Sequence, residues 1–501
     1  MGFAHVFFFI LTGDGRARFL SRMPSRAPDK KLSRTGWVFL THILETSMKL
    51  AMVLATMATA VAASGPVLAA VSADEAKELG GKLTEFGAQK AANADGSIPA
   101  YTGGVKDLPI PADFKPGSGR YPDPFKDDKP IESITKANQA KYGDALTPGT
   151  KALLDRFPGF RVDVYKTRRT MTYPDWVLKN TVSCATTAKL VGKIKGDGVE
   201  GAFGCIPFPI PKDGYEVMWN QNMRYQGVRT DFRFRTIFVD EAGHKTLMGD
   251  QESKFIYPFY DRNATKLNDP YFRLTYTNFF GPSSQVGQLY LAKYSVNNGD
   301  QDDTTWIYMP GQRRVRVAPE LKYDTPMAGI GGTLLFDEIG GFQGRMDRFD
   351  FKLAGEKEII VPYNNYRAYQ SPNLVGDKFA NPDVVRWEKH RVWVVEATLK
   401  PGQRDVYSHR TYYIDEDTWL IVAYDAYDQS NALYRTAYTL DIIPYDKPRV
   451  GQPIQVVYDL TKGNYAVIAD QGDPVTHMIP YDELPNQAYY TPQALQSAGV
   501  R

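Results

Sequence analysis

The chain has 501 residues, 43% of them hydrophobic and 13% aromatic, with 60 Lys and Arg against 57 Asp and Glu for a formal net charge of +3. This is long enough for a large core, and 31 Tyr favour strands and a surface or cavity that accepts flat, partly polar rings. Residues 1–69 hold eight basic and three acidic side chains, so the remainder carries 52 against 54, net −2; nothing in it clusters Lys and Arg as a nucleic-acid footprint requires.

Residues 1–47 read as an upstream extension, either from a wrongly placed start or poorly ordered. Met48-Lys49 then precedes an apolar, alanine-rich run from Leu50 to Ala63, a Ser64-Gly65-Pro66 turn, and Val67-Leu68-Ala69. A short positive end, an apolar core and small residues at −3 and −1 make residues 48–69 a signal peptide cleaved near Ala69. The run is shorter than the about 20 apolar residues of a membrane span. No Cys follows it to carry a lipid, so a periplasmic location is expected.

Residues 70–159 are expected to form a helical and irregular N-terminal wrap. Ser72 and Glu75 have the spacing of a capping box, and Leu79, Leu83 and Phe86 continue at helical spacing, which predicts a helix over 72–95. Residues 99–130 are rich in Pro, Gly and Asp and read as an extended segment. A second helix is predicted over 131–156, capped by Ser133, with Leu146, Leu153 and Leu154 in the core.

From Phe160 the period changes to two, and residues 160–501 read as an antiparallel β domain. Strand-like runs recur at 228–239, 251–259, 271–280, 288–296, 304–309, 313–318, 348–353, 357–362, 384–399, 404–415, 418–427, 433–443, 454–460 and 464–469. Turn signals separate them, and no helix long enough for βαβ crossovers intervenes. The sheet must therefore close or be covered. The stretches 324–345 and 364–383 read as loops of the same domain.

Cys184 and Cys205 both lie in the exported part. One disulfide is the simplest pairing in an oxidising compartment; two separate thiols are the alternative, and no His lies beside them for a metal site. Only His244, His390, His409 and His477 remain after residue 69, without paired-ligand spacing, so no metal is expected. Gly329-Ile-Gly-Gly332 lacks the dinucleotide fingerprint, no G-x-S-x-G elbow exists, and no cofactor is implied. The carboxylates Asp415, Glu416, Asp417, Asp425 and Asp428 are expected as solvated turn residues. His390 and His409 are expected as satisfied or exposed strand histidines.

Apolar binding is the stronger theme. Alternation puts Trp306 and Tyr308 on one strand face, with Ile307 and Met309 on the other. It likewise puts Trp393, Val395, Ala397 and Leu399 opposite Val392 and Val394. Both faces need cover, or one lines a cavity. Trp306, Tyr308, Trp393, Tyr412 and Trp419 are the candidates for its wall, and the Gly-rich apolar segment 325–336 for its flap; a loop buried by packing is the alternative for that segment. Arg314 and Arg316 are candidates for holding a head group or a flap carboxylate; a solvated strand face is the alternative.

Four segments carry a resemblance: Asn93-Ala-Asp-Gly-Ser-Ile-Pro-Ala-Tyr-Thr-Gly-Gly104, Gly201-Ala-Phe-Gly-Cys-Ile-Pro-Phe-Pro-Ile-Pro211, Trp306-Ile-Tyr-Met-Pro-Gly-Gln-Arg-Arg-Val315 and Asp347-Arg-Phe-Asp-Phe351. Together they resemble the domain of unknown function 1329 family, exported proteins of Gram-negative bacteria. Cys205 stands where that family is expected to carry Gly, which makes the disulfide particular to this chain. The family is in turn similar to the LolA/LolB-type periplasmic lipoprotein carriers, and Tyr412-Tyr-Ile-Asp-Glu-Asp-Thr-Trp-Leu-Ile-Val422 is similar to a strand–turn–strand unit of their meander. The resemblance implies a mainly β fold with some α: a large curved antiparallel sheet, or half-open barrel, covered by helices. It also implies a hydrophobic small molecule or lipid as ligand. An export pump of the resistance-nodulation-division class, or an outer-membrane component, is implied as partner, and no catalytic residue is implied. The rival expectations are an exported hydrolase and a ligand-free structural partner of an envelope complex. A carboxylate–His constellation at a cavity floor would favour the first, and a cavity filled by the protein's own side chains the second.

Overall fold

A computed structural model describes residues 71–327 and 330–500. The expected extension and signal peptide lie outside the described residues. Eighteen strands follow one another: β1 Glu132–Ile134, β2 Val162–Val164, β3 Lys189–Val191, β4 Gly198–Glu200, β5 Arg229–Val239, β6 Lys245–Ile256, β7 Tyr271–Gly281, β8 Leu289–Ser295, β9 Thr304–Met309, β10 Arg314–Val317, β11 Phe349–Pro362, β12 Trp387–Leu399, β13 His409–Asp415, β14 Ile421–Tyr427, β15 Leu433–Leu440, β16 Ile454–Asp459, β17 Asn464–Asp470 and β18 His477–Tyr481. Sixteen of them form one sheet in the order β1-β2-β12-β13-β14-β15-β16-β17-β5-β6-β7-β8-β9-β10, with β11 pairing β12 and β18 pairing β5. The pairing is antiparallel except at Trp387↔Val164, and the sheet is not closed.

The expected strands recur because successive side chains of a strand point to opposite faces, so each run keeps a period of two wherever it pairs. Runs 348–353 and 357–362 are one strand with an irregularity at Leu353/Gly355, where Gly355 adopts φ 112. Among the described residues four α-helices are nine residues or longer: α1 Pro148–Arg156, α2 Asp175–Cys184, α3 Gly214–Met223 and α4 Pro492–Val500.

The helix expected over 72–95 reduces to the single turn Ala73–Ala76. Its Ser72–Glu75 capping box forms as expected. Gly80 at φ 80 and Gly87 at φ 98 then turn the chain; a Cβ on Gly87 would meet the Pro209 carbonyl oxygen at 1.9 Å. Leu79 and Phe86 are nevertheless buried, so the apolar spacing marked core contacts and not a helix. The helix expected over 131–156 is likewise corrected. Ser133 lies in β1 and donates to Asp163. Helix α1 starts only at Pro148, behind the Thr147 cap, because proline suits a helix's first turn. Leu146, Leu153 and Leu154 are core residues as expected.

Helix α3 gave no amphipathic signal because all ten of its residues are buried, Glu216, Asn220, Gln221 and Asn222 among them. It fills the hollow of the sheet, where Tyr215 meets Phe351 and Trp219 meets Phe272 edge to face. Cys184, the last residue of α2, is bonded to Cys205 with Cα atoms 6.6 Å apart.

Candidate functional site

Opposed residues in antiparallel pairs share a face of the sheet. The face of Tyr412 runs on through Tyr424, Ala437, Val457, Ala466 and Phe238. Along β5 it reaches Phe234 and Phe232, and across Ser253 and Thr277 it reaches Tyr290, Ile307 and Arg316. Helix α3 and the segment 330–346 cover the first half of this inner face. Trp393 lies on it too, half-buried and stacked on Trp419 with ring centroids 6.3 Å apart; the Trp419 indole donates to the Phe86 carbonyl at 3.1 Å.

Trp306 and Tyr308 lie on the opposite face, with Val315 and Val317. Tyr308 is buried there beside Tyr490 and Leu495 at and within the C-terminal helix. The five candidate aromatics therefore do not share one wall: Trp393, Tyr412 and Trp419 belong to the inner face, and Trp306 and Tyr308 to the outer. The linear sequence records alternation within each strand, and only the sixteen-strand register relates one strand's faces to another's. Arg314 and Arg316 share the side of Met309 and Ile307, away from Trp306 and Tyr308. Both are exposed, and Arg316 donates to Glu320 at 2.7 Å. They lie on a solvated edge strand.

The candidate flap is seated on the inner face. Ile330, Leu334 and Leu335 are buried, and Gly331 lies against the Phe238 ring. Behind them Asp337 and Glu338 meet two arginines of the inner face. Arg410 donates to Asp337 Oδ2 at 2.7 Å, and Arg435 donates to Glu338 Oε2 at 3.0 Å and to the Tyr407 hydroxyl at 2.6 Å. The Tyr407 and Tyr424 hydroxyls donate to Glu338 Oε1 at 2.7 and 3.0 Å. Burial pushes the Asp337 carboxyl up to about 6 against the opposing pull of Arg410. Arg410 Nε, Arg435 Nε and Asp337 Oδ1 have no hydrogen-bond partner among the described residues. Buried charges left partly unbonded are costly, so this segment is a plug whose polar seat is incompletely satisfied. Arg410, Arg435, Asp337 and Glu338 were not anticipated. The usable signal was alternation, which places Arg410 on the face of Tyr412 and Ile414, where a lone guanidinium needs a carboxylate from elsewhere.

At the open edge of the sheet, the plug and the ends of β8–β10 enclose a cavity of about 230 Å³. Its lining includes Tyr294, Val317, Ala318, Pro319, Leu321, Tyr323 and Phe336, with Lys293, Asp302 and Arg345 among the polar groups. It is smaller than the about 300–1,000 Å³ usual for a whole small-molecule site. It fits part of an acyl chain or one ring.

The turn carboxylates expected in solvent are buried instead. Asp415, Glu416, Asp417 and Asp425 are all under 4% exposed, and Asp428 alone of the five stays partly open to solvent in its turn. The chain between β2 and α2 brings Arg169 onto Asp417 at 2.6 Å and Glu416 at 3.3 Å, which compensates their burial. His390 sits between Glu388 at 3.1 Å and Asp415 at 3.6 Å, with the Tyr363 ring stacked on it at 3.8 Å. Glu388 is held further by Arg386, Asn364 and the Arg168 backbone N–H. Glu388, His390 and Asp415 resemble an acid–base set, but they are sealed in the core and do not line the cavity at the sheet's open edge. Half-buried His409 stacks on Tyr427 at 4.0 Å.

The family model described as protein of unknown function (DUF1329) matches residues 133–496. An uncharacterized protein of Pseudomonas aeruginosa is 37% identical over 443 residues, covering 87% of this chain and 95% of that protein. Among solved structures, a DUF1329 family protein from Desulfovibrio piger is 18% identical, covering 56% of this chain and 97% of its own, with a TM-score of 0.38. A LolA superfamily protein from Nitrosomonas europaea is 12% identical, with coverage of 56% and 98% and a TM-score of 0.33.

Proposed function

For a chain that belongs to the DUF1329 family of proteins of unknown function, we propose the role of a periplasmic carrier or chaperone for a lipid or other hydrophobic molecule. The observation that carries this reading is a Gly-rich apolar plug seated on the inner face of an open sheet, with an apolar cavity of about 230 Å³ at its margin. In this reading an acyl chain enters at the cavity, and lifting of the plug extends the site toward Tyr412, Arg410 and Arg435. Burying about 200 Å² of acyl surface contributes about 5 kcal/mol, enough for useful affinity without any chemical step.

The periplasmic assignment rests on the leader sequence. Among the described residues no helix is long and apolar enough to cross a membrane. An outer-membrane component or export pump as acceptor rests on the sequence resemblance alone. A second reading, a ligand-free partner within an envelope complex, is favoured by the filling of the inner face by α3 and the plug.

Mass spectrometry of organic extracts from the folded, exported protein separates the two. The carrier reading expects bound lipid, lost on Val317→Asp, which puts a charge on the half-exposed rim of the cavity while the circular dichroism spectrum stays unchanged. A protein free of extractable lipid, or a folded variant with unchanged lipid content, would falsify the carrier reading.

A further inference from the structure

A second cavity, of about 490 Å³, opens between the first turn of α2 and the chain that follows β15 and β18. It falls within the volume range of a whole small-molecule site. Its lining combines Trp176, Tyr225 and Val228 with three cations, Arg262, Lys447 and Arg449, and its acids are Asp175 and Asp482.

The floor is built around Arg449, whose side chain is 3% exposed. Its Nε donates to the Lys447 carbonyl at 3.0 Å and its Nη2 to Asp482 Oδ1 at 3.1 Å. Gly227, at φ 84, leaves the room this guanidinium needs; a Cβ there would lie 1.8 Å from Arg449 Nη1. Lys447 Nζ lies 2.8 Å from Asp482 Oδ2, so one carboxylate holds two cations side by side, Arg449 at the floor and Lys447 nearer the mouth. Arg262 stands over the Trp176 ring at 6.0 Å.

The indole is itself fixed. Tyr225 and Tyr260 meet it edge to face at 6.1 and 6.2 Å. Gly204 approaches it so closely that a Cβ would lie 2.9 Å from the ring, and the neighbouring Cys205 is tied to α2 by the disulfide. An exposed ion pair would need neither a reserved space for its arginine nor a clamped aromatic platform beside it.

We infer that this cleft binds the phosphate group of an organic phosphate. The phosphate oxygens accept from Lys447, Arg449 and Arg262, and the organic part lies on Trp176. Convergent guanidinium and ammonium donors suit a phosphate's several acceptor oxygens, and three cations against two acids leave the cleft electropositive. A phospholipid head group and a soluble ester present the same phosphate, and the recognising chemistry is the same for both.

Calorimetric titration with glycerol 3-phosphate, and flotation with phosphatidylglycerol vesicles, test the site and separate the sources. Binding to both ligands assigns a soluble-type phosphate site, and binding to vesicles alone a head-group site. In either case Arg262→Ala with Lys447→Ala should weaken binding roughly tenfold, at unchanged melting temperature. Asp482→Asn should strengthen it, because it frees two cations from their internal acceptor. Binding unaffected by the cation substitutions, weakened by Asp482→Asn, or undetectable with both ligands at millimolar concentration would overturn the assignment.

Discussion

Single residues in this protein are constrained by what reaches them from far along the chain. Gly149, near the start of α1, donates its N–H to Asp425 Oδ2 at 3.1 Å, and Thr436 donates to the other oxygen at 2.8 Å. A Cβ on Gly149 would lie 1.9 Å from Thr436 Oγ1 and 2.1 Å from Asp425 Oδ1. Neither neighbour can retreat without losing a buried hydrogen bond. Gly149→Ala should therefore cost about 3 kcal/mol, the upper range for overpacking, as read from the shift of the urea midpoint; a loss under about 0.5 kcal/mol, typical of surface substitutions, would show that the contact relaxes freely. The same distance effect decided the fate of the turn acids. Asp415, Glu416 and Asp417 look like an ordinary hydrophilic turn in sequence; Glu416 and Asp417 become core residues because Arg169, over 240 positions earlier, packs on them, and Asp415 because Thr418 and His390 meet it.

Among the elements, the plug has the most to lose or gain from pH. Burial raises the Asp337 carboxyl to about 6, and Asp405, beside the same Arg410, is raised by burial as well. With the plug lifted, Asp337 meets water and returns to near 3.9. The closed form then binds more protons between about pH 4 and pH 6. That contribution to closure is present at the acid end of the window and is lost as pH rises through about 6. Amide hydrogen exchange over 330–345, corrected for the intrinsic rate, should show more frequent opening at about pH 7.5 than at about pH 5. Equal protection at both would mean that Asp337 keeps the same protonation whether the plug is seated or lifted. The edge strand β10 shows how an open sheet is kept from pairing with others. It is four residues long and carries two arginines, and the Gln496 side chain accepts from the Val315 N–H at 2.8 Å and donates to the Arg313 carbonyl at 2.9 Å.

At the scale of the molecule, the disulfide joins α2 to the loop that carries Gly204 and Cys205, and both ends abut the core through Trp176 and Tyr260. Its sequence separation of 21 corresponds to about 3 kcal/mol of unfolded-state restriction. Replacing both cysteines by serine should lower the unfolding free energy by about that amount in urea titration. An unchanged midpoint would show that packing alone holds this region. The described residues belong to one compact unit, so the wrap before residue 160 and the sheet after it share a core: Phe86 and Tyr173 pack together near Trp419, at a turn of the sheet.

The order and approximate limits of most long strands were legible in the amino-acid sequence, because side chains of a strand alternate whatever that strand pairs with. The family resemblance, the cysteine pair and the odd character of segment 325–336 were legible for similar local reasons. Helix α3 was not, since a helix buried on every side has no polar stripe to give it a period. Nor were the two faces of the sheet: Trp306 and Trp393 have equivalent local patterns, and only the register across β12 to β10 places them on opposite sides. The seat of the plug belongs to the tertiary structure for the same reason. Arg435 and Glu338 are 97 residues apart, and each reads in isolation as a surface charge; burial creates the demand for a partner, and the fold alone decides which partner meets it.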